Sequence, residues 1–169
     1  MQHTENSTAA DTKLFPFGND GVYRPITLNL TQADATVRTY TGSITEGAPP
    51  SRTLPSVPEV ITRVSAFRYY TITQSPAAAV NAASVIIDYN VDDRSDDGPT
   101  LRIAKSDGDG NWVNIGGTGS ASGSEAGDFV AGIITSGSFT TFSDFVLASS
   151  SEPLNPLPIE LLSFSGEVA

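Results

Sequence analysis

Short stretches in which apolar and polar residues alternate recur along most of the chain. The clearest covers residues 23–30, where Ile26, Leu28 and Leu30 fall on one face, as in a half-buried β-strand. Gly, Pro, Asn and Asp residues separate such stretches at intervals of about eight to twelve residues, and long helical patterns are absent. The alternation predicts an all-β fold, an antiparallel β-sandwich or jelly roll of about nine or ten short strands. We expect strands at residues 13–17, 23–30, 36–41, 60–64, 67–73, 84–90, 101–105, 111–115, 129–135 and 139–147.

The two ends of the chain differ from this central region. Residues 1–12 are polar, and we expect them to be flexible or ordered by a partner. Near the other end, Pro153, Pro156 and Pro158 fix φ and remove N–H donors, which favours an extended polyproline-like spacer. The predicted organisation is a tail at residues 1–12, a β-sandwich domain at 13–150, a proline-rich spacer at 151–158 and a C-terminal strand at 159–169.

The C-terminal strand has one strongly apolar face, formed by Leu162, Phe164 and Val168. A single strand is not stable in water, so it must pair with its own sheet or with the sheet of another molecule. Because the spacer holds it away from the domain, we predict that it is donated to a neighbouring copy. The predicted assembly residues are Ile159, Leu161, Leu162, Phe164 and Val168.

Two alternatives to this donated strand remain open from the sequence. Residues 159–169 could pair with an edge of their own domain, since completion of an edge strand is common. The N-terminal segment, residues 1–17, could be the donor instead, because it also ends in an apolar strand.

Composition and charge exclude several classes of function. The chain has 19 acidic and nine basic residues, a formal net charge of −10, so its surface repels nucleic acid. It has no cysteine, which excludes disulfides, thiolate zinc sites and cysteine nucleophiles. It also lacks a run of about 18 apolar residues, so no membrane span is predicted. The low charged fraction of 17% is typical of extracellular β-proteins.

Enzymatic residues are scarce in this sequence. The single histidine, His3, lies in the polar N-terminal tail, where a Ser-His-Asp triad would require the tail to fold into a pocket. No motif isolates a pair of carboxylates suited to glycoside hydrolysis. We therefore predict that the protein is not an enzyme.

Clustered acidic residues make calcium the one cofactor to consider. Residues 92–97 and residues 107–111 both offer the hard oxygen ligands that Ca²⁺ binds in loops. Asp107, Asp109 and Asn111 have EF-hand-like spacing, but the glycine and glutamate that complete such a loop are absent. A tight hairpin turn explains the same residues without a metal, so no cofactor is predicted and calcium remains an alternative.

Four aromatic residues could form a platform for stacking against sugar rings: Phe67, Tyr69, Tyr70 and Trp112. Alternation along the strand places Phe67 and Tyr69 on one face and Tyr70 on the other. This arrangement favours core and surface roles over a shared platform.

Five tracts of the chain, in order, carry a family resemblance: residues 15–18 (FPFG), 23–28 (YRPITL), 109–117 (DGNWVNIGG), 139–148 (FTTFSDFVLA) and 155–164 (NPLPIELLSF). They resemble the FPxG…YRPVTL, DGxWTNIGG, FTxFSDFxLA and NPLPVELLSF tracts of a β-sandwich domain that recurs in secreted surface proteins of Bacteroidetes. The resemblance implies type IX secretion and an extracellular location at the cell surface, within adhesins, fibres or multidomain hydrolases. In such proteins the last tract usually opens a further fibronectin-like or sorting domain, which is another interpretation of residues 159–169.

Two functional hypotheses follow from these patterns. The first is a structural subunit of an extracellular pilus-like fibre or surface appendage, whose partners are copies of itself in a head-to-tail homopolymer. The second is an adhesive or carbohydrate-binding module of a larger secreted surface protein, whose partners are surface glycans.

Overall fold

A computed structural model describes residues 1–19, 21–51, 53–54 and 60–157 of the chain. The fold is almost entirely β, with antiparallel sheets, and confirms the predicted sandwich-like all-β class. The only helical segments in the described part are two 3-10 turns, Val91–Asp93 and Gly98–Thr100, and neither is long enough to span a membrane. The strands are β1 (Gln2–Glu5), β2 (Asp11–Phe15), β3 (Gly18–Asn19), β4 (Val22–Tyr23), β5 (Ile26–Thr31), β6 (Arg38–Glu46), β7 (Arg63–Val64), β8 (Arg68–Ser75), β9 (Ala82–Tyr89), β10 (Leu101–Ser106), β11 (Trp112–Asn114), β12 (Gly132–Thr135) and β13 (Asp144–Ser149).

Two antiparallel sheets form the layers of the sandwich. The larger sheet has the strand order β1-β6-β8-β13-β10-β11, and β7 also pairs with β13. The smaller sheet has the order β12-β9-β5-β2. Strands β3 and β4, which have two residues each, form a separate hairpin. Neighbouring strands in both sheets run antiparallel. At one end of the sandwich, therefore, three strands begin (β5, β8 and β10) and three strands finish (β6, β9 and β13). We call this end the base.

The main core lies between the two sheets. Alternate residues of β5 and β9 face it from the smaller sheet, and alternate residues of β8 and β10 face it from the larger sheet. Gly42 in β6 leaves room for the ring of Phe15, since a Cβ at position 42 would lie 2.5 Å from that ring. The largest fully buried side chains in this core are Phe15, Ile26, Leu28, Tyr40, Tyr70, Ile72, Ile87, Leu101, Ile103, Ile134, Phe145 and Leu157.

A second, smaller core covers the outer face of the larger sheet. Strand β13 is buried on both faces, with Phe145 in the main core and Val146 in the second. Leu54 and Ile61, from the segment that connects β6 to β7, pack onto this face. The other members of the second core are Val64, Tyr69, Ala104, Trp112 and Ala148.

The prediction of a flexible or partner-ordered tail at residues 1–12 is wrong. Strand β1 pairs along β6, and β2 begins at Asp11 and pairs with β5. The rings of His3 and Phe15 pack in a T-shaped arrangement with centroids 4.9 Å apart, and the Glu5 carboxylate lies 2.7 Å from Lys13 Nζ. Polar side chains therefore make the inward contacts of β1, which is why an apolar pattern does not reveal it. With β1 and the short strands β3 and β4 in addition to the ten expected strands, the described residues contain thirteen strands.

Candidate functional site

The predicted polyproline spacer instead turns back into the sandwich. Asn155 and Leu157 are fully buried, and Leu157 belongs to the main core. Their φ angles are 47° and 29°, whereas a polyproline helix requires about −75°. The prediction of an extended polyproline-like spacer at residues 151–158 is therefore wrong within its described part, residues 151–157. Pro158 and the predicted assembly residues Ile159, Leu161, Leu162, Phe164 and Val168 lie outside the described residues.

The side chain of Asn155 is the centre of a buried hydrogen-bond network. Its Oδ1 accepts hydrogen bonds from Ser95 Oγ (2.9 Å) and from the backbone N–H groups of Asp96 (3.0 Å) and Asp97 (2.9 Å). Its Nδ2 donates to the Asp97 carbonyl (2.8 Å) and to Thr100 Oγ1 (2.9 Å), and its backbone N–H donates to Asp96 Oδ1 (2.6 Å). We call Asn155 and these partners the Asn155 anchor.

Further contacts attach the anchor to its surroundings at the base. Asp96 Oδ2 accepts a hydrogen bond from the Gly127 N–H (2.8 Å), which ties in the loop before β12. The guanidinium group of Arg63 donates to the carbonyls of Pro156 (3.2 Å) and Glu152. The chain therefore leaves the described structure from a fixed point beside the start of β10.

A cluster of charged side chains also lies at the base. Arg24 precedes β5, Glu46 ends β6, Arg68 begins β8, and Asp92 and Asp93 follow β9. Both arginine side chains and that of Asp93 are about 95% buried or more, whereas Asp92 and Glu46 are partly exposed. We call these five residues the arginine cluster; its three carboxylates and two guanidinium groups give a formal charge of −1.

Arg24 and Arg68 each pair with all three carboxylates of the arginine cluster. The nitrogens of Arg68 lie 2.9 Å from Asp93 Oδ1, 3.1 Å from Asp92 Oδ2 and 3.4 Å from Glu46 Oε2. Arg24 pairs with Asp92 and lies 3.5 Å from Asp93 Oδ2. The pKa of Asp93 is raised to about 6, mainly because the carboxyl group is buried. The negative charge of the adjacent Asp92 carboxylate also raises this pKa. The cluster joins the ends of four strands at the base.

The acidic candidates for calcium have structural partners in the described residues. Asp92 and Asp93 pair with arginines, and Asp96 and Asp97 belong to the Asn155 anchor. The residues that the structure describes include no group of three or more His, Asp or Glu side chains placed to hold a metal ion.

The second calcium candidate is a hairpin turn between β10 and β11. Asp107 Oδ1 accepts hydrogen bonds from the N–H groups of Asp109 (2.8 Å) and Asn111 (3.1 Å), and Oδ2 accepts one from Asn111 Nδ2 (2.8 Å). The hydrogen bond from the Asn111 side chain is the main reason that the pKa of Asp107 is lowered. Both carboxylate oxygens are thus engaged by the turn itself, as the hairpin interpretation expects.

The structure does not assemble the four aromatic candidates into a stacking platform. Trp112 and Tyr70 are only 3% and 2% exposed and belong to the second and main cores, respectively. Tyr69 packs partly buried against the second core, and Phe67 is exposed. The alternation along residues 67–73 predicts this separation of Tyr69 from Tyr70.

Trp112 has a structural role that can be measured. Its Nε1 donates a hydrogen bond to the Ser51 carbonyl (2.6 Å) from within the second core. We expect Trp112→Phe to lower the free energy of unfolding by about 1–2 kcal/mol, because it leaves that carbonyl without its donor. Urea denaturation measures the loss, with Phe67→Leu as an exposed aromatic control. An unchanged stability together with lost binding to a glycan array would instead support a binding role for Trp112.

His3 contacts a backbone carbonyl and an aromatic ring. Its Nε2 lies 2.7 Å from the carbonyl oxygen of Leu14, and its ring packs against Phe15. The histidine thus joins β1 of the larger sheet to β2 of the smaller sheet.

At three of the four edges of the two sheets, some outward backbone groups are capped within the described residues. At β11, the Trp112 N–H donates to the Thr53 carbonyl (3.0 Å). At β12, the Ile133 N–H donates to Ser120 Oγ (2.8 Å), and the Ile133 carbonyl accepts from the Ser120 N–H (2.8 Å). At β2, the Thr12 N–H donates to Asp11 Oδ1 (2.7 Å), and His3 Nε2 lies within hydrogen-bond distance of the Leu14 carbonyl oxygen (2.7 Å).

The fourth edge, at β1, has no such cap in the described part of the chain. Met1 and Gly42 form two backbone hydrogen bonds with each other, each 2.9 Å long. Hydrogen-bonded and non-hydrogen-bonded pairs alternate along an antiparallel ladder, so the backbone groups of His3 and Glu5 also face β6. The N–H and C=O groups of Gln2 and Thr4 therefore point away from β6. Both residues are exposed, and no hydrogen bond from a described residue reaches these backbone groups.

Comparisons with protein-family models, with curated proteins and with solved structures gave no match to this chain.

Proposed function

We propose that the protein is a structural subunit of an extracellular pilus-like fibre or surface appendage. In this proposal, residues 159–169 of one copy pair with a neighbouring copy and build a head-to-tail homopolymer. The observation that supports it best is the Asn155 anchor, which fixes the point from which the terminal segment leaves the sandwich.

A fixed exit point suits a subunit that transmits tension along a fibre. Pulling on the terminal segment would load buried hydrogen bonds at Asn155 and the packed side chain of Leu157 before it reached any sheet edge. Groups buried in this way resist separation, because each unsatisfied donor or acceptor costs about 1–3 kcal/mol.

The anchor also shortens the connection between subunits. The twelve residues 158–169 reach at most about 40 Å when fully extended. Burial of Leu162, Phe164 and Val168 against a neighbour would contribute about 1.5–3 kcal/mol for each fully buried side chain, before ordering costs. Neighbouring subunits would then lie nearly in contact.

The extracellular location and type IX export belong to the same proposal. They are supported by the resemblance of the five tracts to secreted Bacteroidetes surface domains and by the low charged fraction of 17%. The alternative, an adhesive or carbohydrate-binding module, draws no support from Trp112 or Tyr70, because both are buried.

Self-association of the full-length chain tests the proposal. We expect oligomers that grow with concentration by light scattering, and filaments by electron microscopy. Because charged groups on the apolar face would oppose its burial, Leu162→Asp combined with Phe164→Asp should give monomers with unchanged circular dichroism. Ser163→Asp, on the opposite face, is the matched control and should still assemble. Monomeric wild-type chains at all concentrations, or assembly that the double variant leaves intact, would contradict the proposed function.

A further inference from the structure

The edges of the two sheets differ in their readiness to accept another strand. An uncapped edge presents unpaired N–H and C=O groups that can pair with another chain, so proteins usually cover such edges. Loop or side-chain groups bond to at least one outward backbone group at β2, β11 and β12, whereas none of the outward groups of Gln2 and Thr4 in β1 has a partner among the described residues. The edge of β1 is therefore the best acceptor that the described structure offers.

We infer that the β1 edge, at Gln2 and Thr4, receives residues 159–169 of a neighbouring copy. This inference rests on the proposed function and names the surface that the terminal segment would bind. The added strand would extend the larger sheet beyond β1 by main-chain hydrogen bonds.

The side-chain pattern of β1 matches that of the terminal segment. In β1, His3 and Glu5 face the interior while Gln2 and Thr4 face solvent. In the terminal segment, Leu162 and Phe164 alternate with polar Ser163 and Ser165. One register therefore places the apolar face on the His3 and Phe15 side of the sheet and the serines in solvent.

The positions of donor and acceptor favour pairing between copies. The terminal segment leaves beside β10, whereas β1 lies at the opposite edge of the larger sheet. Four strand spacings, about 19 Å, separate β10 from β1, and β1 pairs with residues 38–41 of β6, the part of that strand farthest from the base. A segment that paired with its own β1 would also have to cross the arginine cluster at the ends of β6 and β8. Two different surfaces brought together between copies give a heterologous contact, which repeats into an open filament.

Disulfide trapping between full-length chains tests this contact directly, because the protein has no cysteine of its own. One chain carries Thr4→Cys, and a second carries Ser163→Cys or, to sample the register, Ser165→Cys. Mixing under mild oxidation should give a disulfide-linked pair of chains that disappears on reduction. Ala126→Cys, in an exposed loop, replaces Thr4→Cys as the matched control and should give at least tenfold less product. Equal product from both would overturn the inference.

A single chain with both Thr4→Cys and Ser163→Cys shows whether the pairing is between copies. A ladder of linked chains on non-reducing gels is expected. A cross-linked monomer would mean that the segment pairs with its own β1, and would overturn the inference.

Proline at the β1 edge tests the same contact without cross-linking. The Thr4 N–H points away from β6, so Thr4→Pro removes no hydrogen bond of the existing sheet but blocks an incoming strand. We expect association at least tenfold weaker than that of the matched Thr4→Val variant, with both folded by circular dichroism. If Thr4→Pro does not fold, the disulfide experiment decides. If wild-type chains assemble and Thr4→Pro assembles as well as Thr4→Val, this inference is wrong while the proposed function stands. If wild-type chains do not assemble, the proposed function fails.

Discussion

Replacement of Asn155 by alanine is expected to lower the free energy of unfolding by about 3–5 kcal/mol. The substitution removes the acceptor of the buried Asp96 N–H and of the partly buried Asp97 N–H, and the donor to the Asp97 carbonyl. Each buried group left without a partner costs about 1–3 kcal/mol. The total is a large part of the 5–15 kcal/mol by which a typical domain is stable. Urea denaturation of the full-length chain measures the loss.

Two further variants separate the contributions at this position. Asn155 has a φ of 47°, which glycine adopts freely and alanine does not. We therefore expect Asn155→Gly to be about 1 kcal/mol more stable than Asn155→Ala, while still lacking the amide. Asn19→Ala, at an exposed position, is the control and should change stability by less than about 0.5 kcal/mol. A loss below about 1 kcal/mol in Asn155→Ala would mean that the anchor does not hold the terminal tract.

The sequence predicted the central strands well because their alternation is simple. In β5 every second residue is buried, so the apolar pattern alone identifies both the strand and its inward face. In β9 the consecutive apolar residues 85–87 identify the strand, but its inward face is defined only by the structure. The same logic fails at β1, because its inward residues His3 and Glu5 are polar and contact Phe15 and Lys13 of the next strand.

The anchor could not be predicted from local sequence. Prolines at positions 153, 156 and 158 favour an extended chain, but the conformation is decided by hydrogen bonds from Asn155 to residues about sixty positions earlier. Such contacts depend on the tertiary fold, which brings the 3-10 turn at Gly98–Thr100 beside the end of β13.

The arginine cluster did leave a signal in the sequence. Along β8, Arg68 alternates with Tyr70 and Ile72, so the apolar face of this strand begins with a charged residue. A charge at an inward position must find opposite charges, because an unpaired buried ion is very costly. The alternation thus predicts a buried arginine, although its partners Asp93 and Glu46 could be identified only from the folded structure.

Replacement of Arg68 by methionine is expected to lower the free energy of unfolding by about 3–5 kcal/mol at pH 8. Methionine keeps much of the aliphatic length but leaves the Asp93 carboxylate, which is 2% exposed, with the Asn90 N–H and with Arg24 at 3.5 Å as its one guanidinium partner among the described residues. The remaining charges of the cluster would then be three carboxylates and one guanidinium group. Chemical denaturation measures the loss, and Arg102→Met, at a partly exposed position, is the matched control.

The pH dependence of this loss tests its electrostatic origin. Burial already raises the pKa of Asp93 to about 6, and loss of Arg68 should raise it further. A carboxyl whose pKa is higher in the folded protein binds its proton more strongly there, so it becomes less destabilising as pH falls through that pKa toward the unfolded value of 3.8. The deficit of Arg68→Met should therefore be largest at pH 8 and shrink toward pH 5. Asp93→Asn in the Arg68→Met background should recover part of the stability at pH 8, because it removes the buried negative charge. A deficit that is constant from pH 8 to pH 5, with no recovery in the double variant, would show that Arg68 stabilises the base through packing alone.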